Sequence, residues 1–226
     1  MSEAHAGNSA LAHQFEDVEQ QHETDTLGIW VFLVTEIMFF GGLFASYTIY
    51  RSFYTPAFEA GSRVLNVRLG AINTMILLSS SFTMAMAVRS AQTAKRNALM
   101  VFLVLTMVLG VAFLGVKGVE YHQEYVERII PGVNFAPQGE MLQRLLPGGL
   151  GQVQLFLCFY FAMTLVHALH MTIGLALLLV LLLRARRGTF SSQYFAPVEV
   201  TGLYWHFVDV VWIFLFPLLY LIGGRY

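Results

Sequence analysis

The sequence predicts an all-α membrane protein, a bundle of five transmembrane helices. Composition is the first reason: 57% of residues are hydrophobic and 12% charged, with a mean hydropathy of +0.63, whereas a soluble domain carries about 25% charged residues. The second is that the apolar residues gather into five runs. Each is near the roughly 20 residues that a helix rising about 1.5 Å per residue needs to cross the hydrocarbon. Barrel strands would be shorter and would alternate apolar with polar residues, which these runs do not. A chain of 226 residues with five spans has no room for another folded domain of ordinary size. The expected division is therefore a polar N-terminal tail, residues 1–26, and one transmembrane domain, residues 27–226. The net charge of −1 and the lack of a Lys/Arg block give no footprint for nucleic acid. The single cysteine, Cys158, cannot form an internal disulfide or a thiolate metal cluster, and inside an apolar run it is expected to pack.

Met1 to Thr26 contains six acids and no Lys or Arg. Without an apolar core it is not a signal peptide, and it is expected to be a flexible surface tail in which His5, His13 and His22 are solvated. The spans are then expected at about Leu27–Tyr50, Leu69–Val88, Ala98–Val119, Gln152–Leu183 and Thr201–Ile222. The fourth exceeds the membrane thickness and should tilt or project. Arg89, Lys95 and Arg96 follow the second span, while Arg184, Arg186 and Arg187 follow the fourth. Both groups fall on one side, so the positive-inside tendency places the N-terminus in the cytoplasm and the C-terminus outside. Between the third and fourth spans, Glu120 through Arg128 can continue the helix into water, with Glu124 and Arg128 at i, i+4 spacing. Pro131, Gly132, Pro137, Pro147, Gly148 and Gly149 predict irregular chain beyond it.

Polar residues within the spans are the candidate site, because an ionisable group at the bilayer centre costs about 2.5–3.5 kcal/mol on insertion scales. Glu36, mid-helix in Thr-Glu-Ile-Met-Phe-Phe, is either a neutral acid tying helices together or a proton-relay carboxyl. His167 and His170 are three apart and expected to share one helix face, but two histidines without further ligands do not make a metal site. Counting residues from the same membrane side puts Glu36 and His170 at depths differing by roughly 6 Å, which predicts a hydrogen bond between them. His206 and Asp209, at i, i+3 in the last span, are expected to satisfy each other or nearby backbone. Tyr204, Trp205 and Trp30 suit the membrane interface. Ser79, Thr83 and Ala87 form a small-xxx-small stripe for close helix packing, Met100, Met107, Met163 and Met171 are gap fillers, and Arg184 can hold a lipid phosphate. No nucleotide motif and no nucleophile–base constellation is present in the sequence.

Several of these residues carry a resemblance to the cytochrome c oxidase subunit III family. Tyr204-Trp205-His206-Phe207-Val208-Asp209-Val210-Val211-Trp212 is similar to the hallmark of its last helix, Thr35 to Phe40 to its Ser-Glu-Val-Met/Leu-Phe-Phe segment, and His167-Ala168-Leu169-His170 to its His-Gly-Leu-His. Asn73-Thr74, Glu120-Tyr121 and Glu199 match in order. The resemblance implies a bundle equivalent to helices three to seven of oxidase subunit III, with a lipid-filled cleft and no catalytic residue, metal or redox centre in this chain. Haem and copper would lie in partner subunits, with direct packing on subunit I, subunit II in the same complex, and a respiratory supercomplex compatible with the fold. It implies a carbodiimide-reactive carboxyl at Glu36 paired with His170, a polar network including His167, His206 and Asp209, and Arg184 at the head group of a bound phospholipid. The implied role is to stabilise the catalytic subunit and assist proton uptake in a bacterial inner membrane. Ala168 replaces a glycine and Lys117 stands where many members have glutamine; neither is expected to touch a charged site residue. The five-span form also occurs in quinol-oxidase and nitric-oxide-reductase-associated relatives. A small proton-coupled transporter using Glu36 and Asp209, and a haem-binding anchor, are the other readings.

Overall fold

Five long helices cross from one end of the bundle to the other in the computed structural model, which describes residues 18–191 and 194–223. In chain order the elements are α1 (Val18–Phe53), α2 (Thr55–Val64), α3 (Val67–Gln92), α4 (Arg96–Val126), α5 (Gly139–Leu145) with a 3₁₀ turn at Leu146–Gly148, α6 (Leu150–Arg186) and α7 (Ala196–Tyr220). Helices α1, α3, α4, α6 and α7 are each long and apolar enough to span a membrane. Two crossings, α4 and α6, separate the α3–α4 and α6–α7 turns, so Arg89, Lys95, Arg96 and Arg184, Arg186, Arg187 fall at one end, called here the basic end, and α2 with α5 at the other.

Helix α1 begins at Val18, so residues 18–26, expected as part of a flexible tail, continue the first span as helix. His5 and His13 lie outside the described residues. Helix α3 is capped by Asn66, whose Oδ1 accepts from the backbone N–H groups of Arg68 and Leu69 at 3.1 and 3.3 Å, satisfying two otherwise orphaned donors. A three-residue turn returns the chain into α4. At the basic end Arg96 reaches across to donate to the carbonyls of Ala185 (2.9 Å) and Arg186, closing the C-terminus of α6. Pro197 opens α7 in the first turn, where its missing N–H costs nothing.

The sequence reading missed two short helices. In α2, Pro56 sits in the first turn, where it is tolerated. Gly61 and Ser62 are poor interior helix formers, yet the helix lies across the end of the bundle with Phe58 and Ala57 buried. Gly61 is required there, since a Cβ would stand 2.2 Å from the ring of Phe156. The loop expected to be irregular contains α5 and the 3₁₀ turn.

Helix α7 is the central element, with half of its most apolar stretch buried, and α1 is peripheral, with 17% buried. Trp205 is fully buried between α4 and α6. A Cβ on Gly110 or Gly174 would lie 2.9 Å from its indole, so the two glycines make the slot the ring fills. Its Nε1 donates to Ser80 Oγ at 3.0 Å, which corrects the expectation that Trp205 anchors at the interface; Tyr204 is buried as well, and Trp30 alone of the three is exposed. The small-residue stripe on α3 is Ser80, Thr83 and Ala87, with Thr83 and Thr106 hydroxyls 2.8 Å apart across α3 and α4. Ser79 faces outward and bonds its own helix at Met75. Cys158 is on the exposed face of α6, not packed inside.

Candidate functional site

Glu36 and His170 meet. Glu36 Oε2 lies 3.1 Å from His170 Nε2, joining peripheral α1 to α6, and both side chains are largely shielded. The other ring nitrogen, Nδ1, is 2.8 Å from the carbonyl of Val166. A carbonyl only accepts, so Nδ1 carries a hydrogen. Nε2 then either accepts from a neutral Glu36 or is itself protonated beside an ionised one. One proton is shared between two atoms. Tyr204 donates to the His170 carbonyl at 3.0 Å, and Phe40 packs edge-on to the imidazole at 5.3 Å. The pair lines a groove of about 380 Å³ whose walls include Ile29, Phe32, Ile173 and Leu177. A second groove of about 370 Å³ between α1 and α7 is walled by Ile37, Phe40, Phe44 and Phe214.

His167 does not share the face of His170. It is fully buried between Phe113 and Trp212, at ring separations of 5.4 and 5.2 Å, and neither ring nitrogen has a hydrogen-bond partner among the described residues. The physical reason is that α6 is wedged between neighbours: residues three apart differ by about 60° around a helix, enough for one to point at α4 and α7 and the other at α1. Nor do His206 and Asp209 satisfy each other. His206 Nδ1 is 2.7 Å from Ser81 Oγ on α3. Asp209 is buried beside that same serine, with neither carboxylate oxygen bonded among the described residues. Trp212 Nε1 donates to Thr74 at 3.1 Å. The network therefore ties α7 to α3.

A further polar cluster, at the α2 end of the bundle, was missed. Lys117 Nζ is buried and donates to Glu120 Oε2 (2.9 Å), Tyr160 Oη (2.8 Å) and Tyr220 Oη (2.7 Å). Tyr160 donates onward to Glu124 Oε1 at 2.6 Å and Tyr220 to Glu120 Oε1 at 2.8 Å. This corrects two expectations. Lys117 does touch acids, and Glu124 is buried against α6 instead of pairing with Arg128, which takes a left-handed backbone conformation just past the helix. Lys117, Glu120 and Glu124 at i, i+3, i+7 share a helix face, and that spacing was the available signal. Arg184 is exposed at the C-terminal turn of α6, at the basic end.

Among the described residues no group of three or more His, Cys, Asp and Glu side chains converges as a metal would require. A family model described as cytochrome c oxidase subunit III matches residues 13–130 and 153–224. The chain is 36% identical to cytochrome c oxidase subunit 3 of a Synechocystis strain, over 86% of this chain and 74% of the relative. It is 32% identical to cytochrome c oxidase subunit 3 of Thermostichus vulcanus, over 91% and 92%. Against quinol oxidase subunit 3 of Bacillus subtilis it is 29% identical over 99% and 98%. The chain belongs to the cytochrome c oxidase subunit III family.

Proposed function

We propose that the chain is the non-catalytic accessory subunit of a haem–copper terminal oxidase fed by cytochrome c, stabilising the catalytic subunit and assisting proton uptake at the basic end. The observation that carries this reading is the Glu36–His170 pair, which shares one proton, bridges two helices and opens on an apolar groove. Haem and copper belong to the partner subunits. Subunit I packs directly on this chain and subunit II completes the core. The groove between α1 and α7 suits the acyl chain of a phospholipid, whose phosphate Arg184 would hold. The membrane is a bacterial inner membrane, with the basic end cytoplasmic by the loop-charge rule. Cytochrome c as donor rests on the Synechocystis and Thermostichus vulcanus relatives, at 36% and 32% identity, both named as cytochrome c oxidase subunits. The near full-length match to a quinol oxidase subunit favours the second reading, a quinol-fed complex.

Purification in mild detergent through a tag on this chain, with identification of every retained protein, tests the assignment. Retention of a large haem–copper subunit is expected, and oxidation of reduced cytochrome c, but not of quinol, identifies the donor. Recovery of the chain alone and stable overturns the proposal.

Glu36→Gln tests the role of the pair. The glutamine amide donates to Nε2 in place of the acid, so the helix bridge survives while the exchangeable acid proton is lost. Initial oxygen reduction should stay within about twofold of the parent, while activity declines faster over repeated turnovers. Complete loss of haem incorporation or of initial activity would show that the chain is not an accessory.

A further inference from the structure

The hydrogen inventory of the buried Lys117 cluster closes everywhere except at one atom. An ammonium has three N–H donors, and Lys117 uses them on Glu120, Tyr160 and Tyr220. Each phenol has one O–H, and Tyr160 spends its hydrogen on Glu124 while Tyr220 spends its own on Glu120. Both oxygens of Glu120 and one of Glu124 are thereby engaged. Glu124 Oε2 is buried with no partner among the described residues, on a residue only 5% exposed.

Charge shows the same remainder. One ammonium faces two carboxyl groups, and it bonds Glu120 directly but reaches Glu124 only through Tyr160. Two ionised glutamates would leave a net negative charge inside the span, compensated at Glu124 by a single phenol. An isolated buried carboxylate is costly enough that such a group neutralises instead. The other charged groups facing it do not help. Glu127, three residues further and just past the end of α4, adds negative charge, and Arg144 of α5 acts on Glu127. From α6 the Tyr160 phenol faces the cluster and His167 faces Lys117, and from α7 the Tyr220 phenol and the Trp212 ring face it.

We propose that this cluster is a one-proton binding site in which Glu124 Oε2 takes and releases the proton, exchanging it with water at the α2 end. Glu124 is the outermost member, two residues from the end of α4, while Lys117 and Glu120 lie deeper. The step is simple association: hydronium gives its proton to the carboxylate oxygen and leaves as water. The site is separate from Glu36 and does not depend on it.

The test is infrared difference spectroscopy of the whole oxidase complex, parent minus Glu124→Gln, across a pH series in H₂O and D₂O. The expected result is a carbonyl band of one protonated carboxyl at neutral pH, absent from the variant, present in Glu127→Gln, lost at high pH and shifted in D₂O. Loss of only carboxylate stretches at every pH means that a bound cation balances the charge and overturns the proposal, as does a band that neither titrates nor shifts in D₂O. If Glu124→Gln does not assemble, Tyr160→Phe removes the donor to Oε1 but keeps the acid. The band should then persist and move to higher frequency, and an unmoved band counts against Glu124 as its source.

Discussion

Lys117→Met should destabilise the subunit by about 3–5 kcal/mol, the cost of breaking a buried ion pair by removing one partner. Methionine matches the length of the lysine stem but supplies none of its three donors. Glu120 then stands buried without its cation, and the hydroxyls of Tyr160 and Tyr220, which accept from Nζ at 2.8 and 2.7 Å, lose that donor. At about 1.4 kcal/mol per factor of ten, the folded-to-unfolded ratio drops by roughly a hundred- to several-thousand-fold. Denaturant unfolding in detergent and the fraction of subunit retained in the complex both report it. Lys117→Met combined with Glu120→Gln should lose less than the single variant, because the uncompensated charge is gone as well. With Glu120→Gln alone completing the cycle, the double variant's departure from the sum of the two single losses is the coupling energy of the pair. Equal losses would mean that the pair contributes through packing alone, and the ion-pair account would fail.

Trp205→Ala should cost about 3 kcal/mol, the low end of the range for deleting a buried aromatic. The low end applies because the unfolded reference here is a helix in lipid, which is as apolar as the core, so burial itself gains little. What is lost is packing against Gly110 and Gly174 and the bond to Ser80. Gly174→Ala, whose Cβ would stand 2.9 Å from the indole, overpacks the same slot and should cost about 1–3 kcal/mol. The double variant should be more stable than the sum predicts, since the added methyl occupies space the indole vacates. Thermal unfolding of the four proteins in one detergent checks this, and strict additivity would show that ring and glycine do not share the slot.

The five crossings were legible because a run of about 20 apolar residues has few other stable homes. The Glu36–His170 bond was legible too, because a helix converts residue number into depth and a polar group in the membrane needs a partner at its own depth. Helix ends were placed short, by nine residues in α1, because helices continue past the hydrocarbon into polar sequence that carries no apolar signal. Helix α2 went unread because packing across the end of the bundle holds it despite the poor helix formers Gly61 and Ser62, and α5 because its seven residues lie between the prolines and glycines that predict irregular chain.

The polar clusters mark the boundary most clearly. Near the end of a span, Lys117, Glu120 and Glu124 read equally well as hydrated turns of a projecting helix. Only the arrival of Tyr160 from α6 and Tyr220 from α7, 43 and 103 positions along the chain, turns them into an enclosed network. The same holds for His167 and His170, which spacing alone put on one face and neighbouring helices divided. Sequence by itself determined that the chain lives in lipid, how often it crosses and which polar groups lie at which depth, because hydrophobicity and helix rise are properties of single segments. The tertiary structure alone decided which of those groups face each other, because azimuth around a buried helix is set by the helices packed against it.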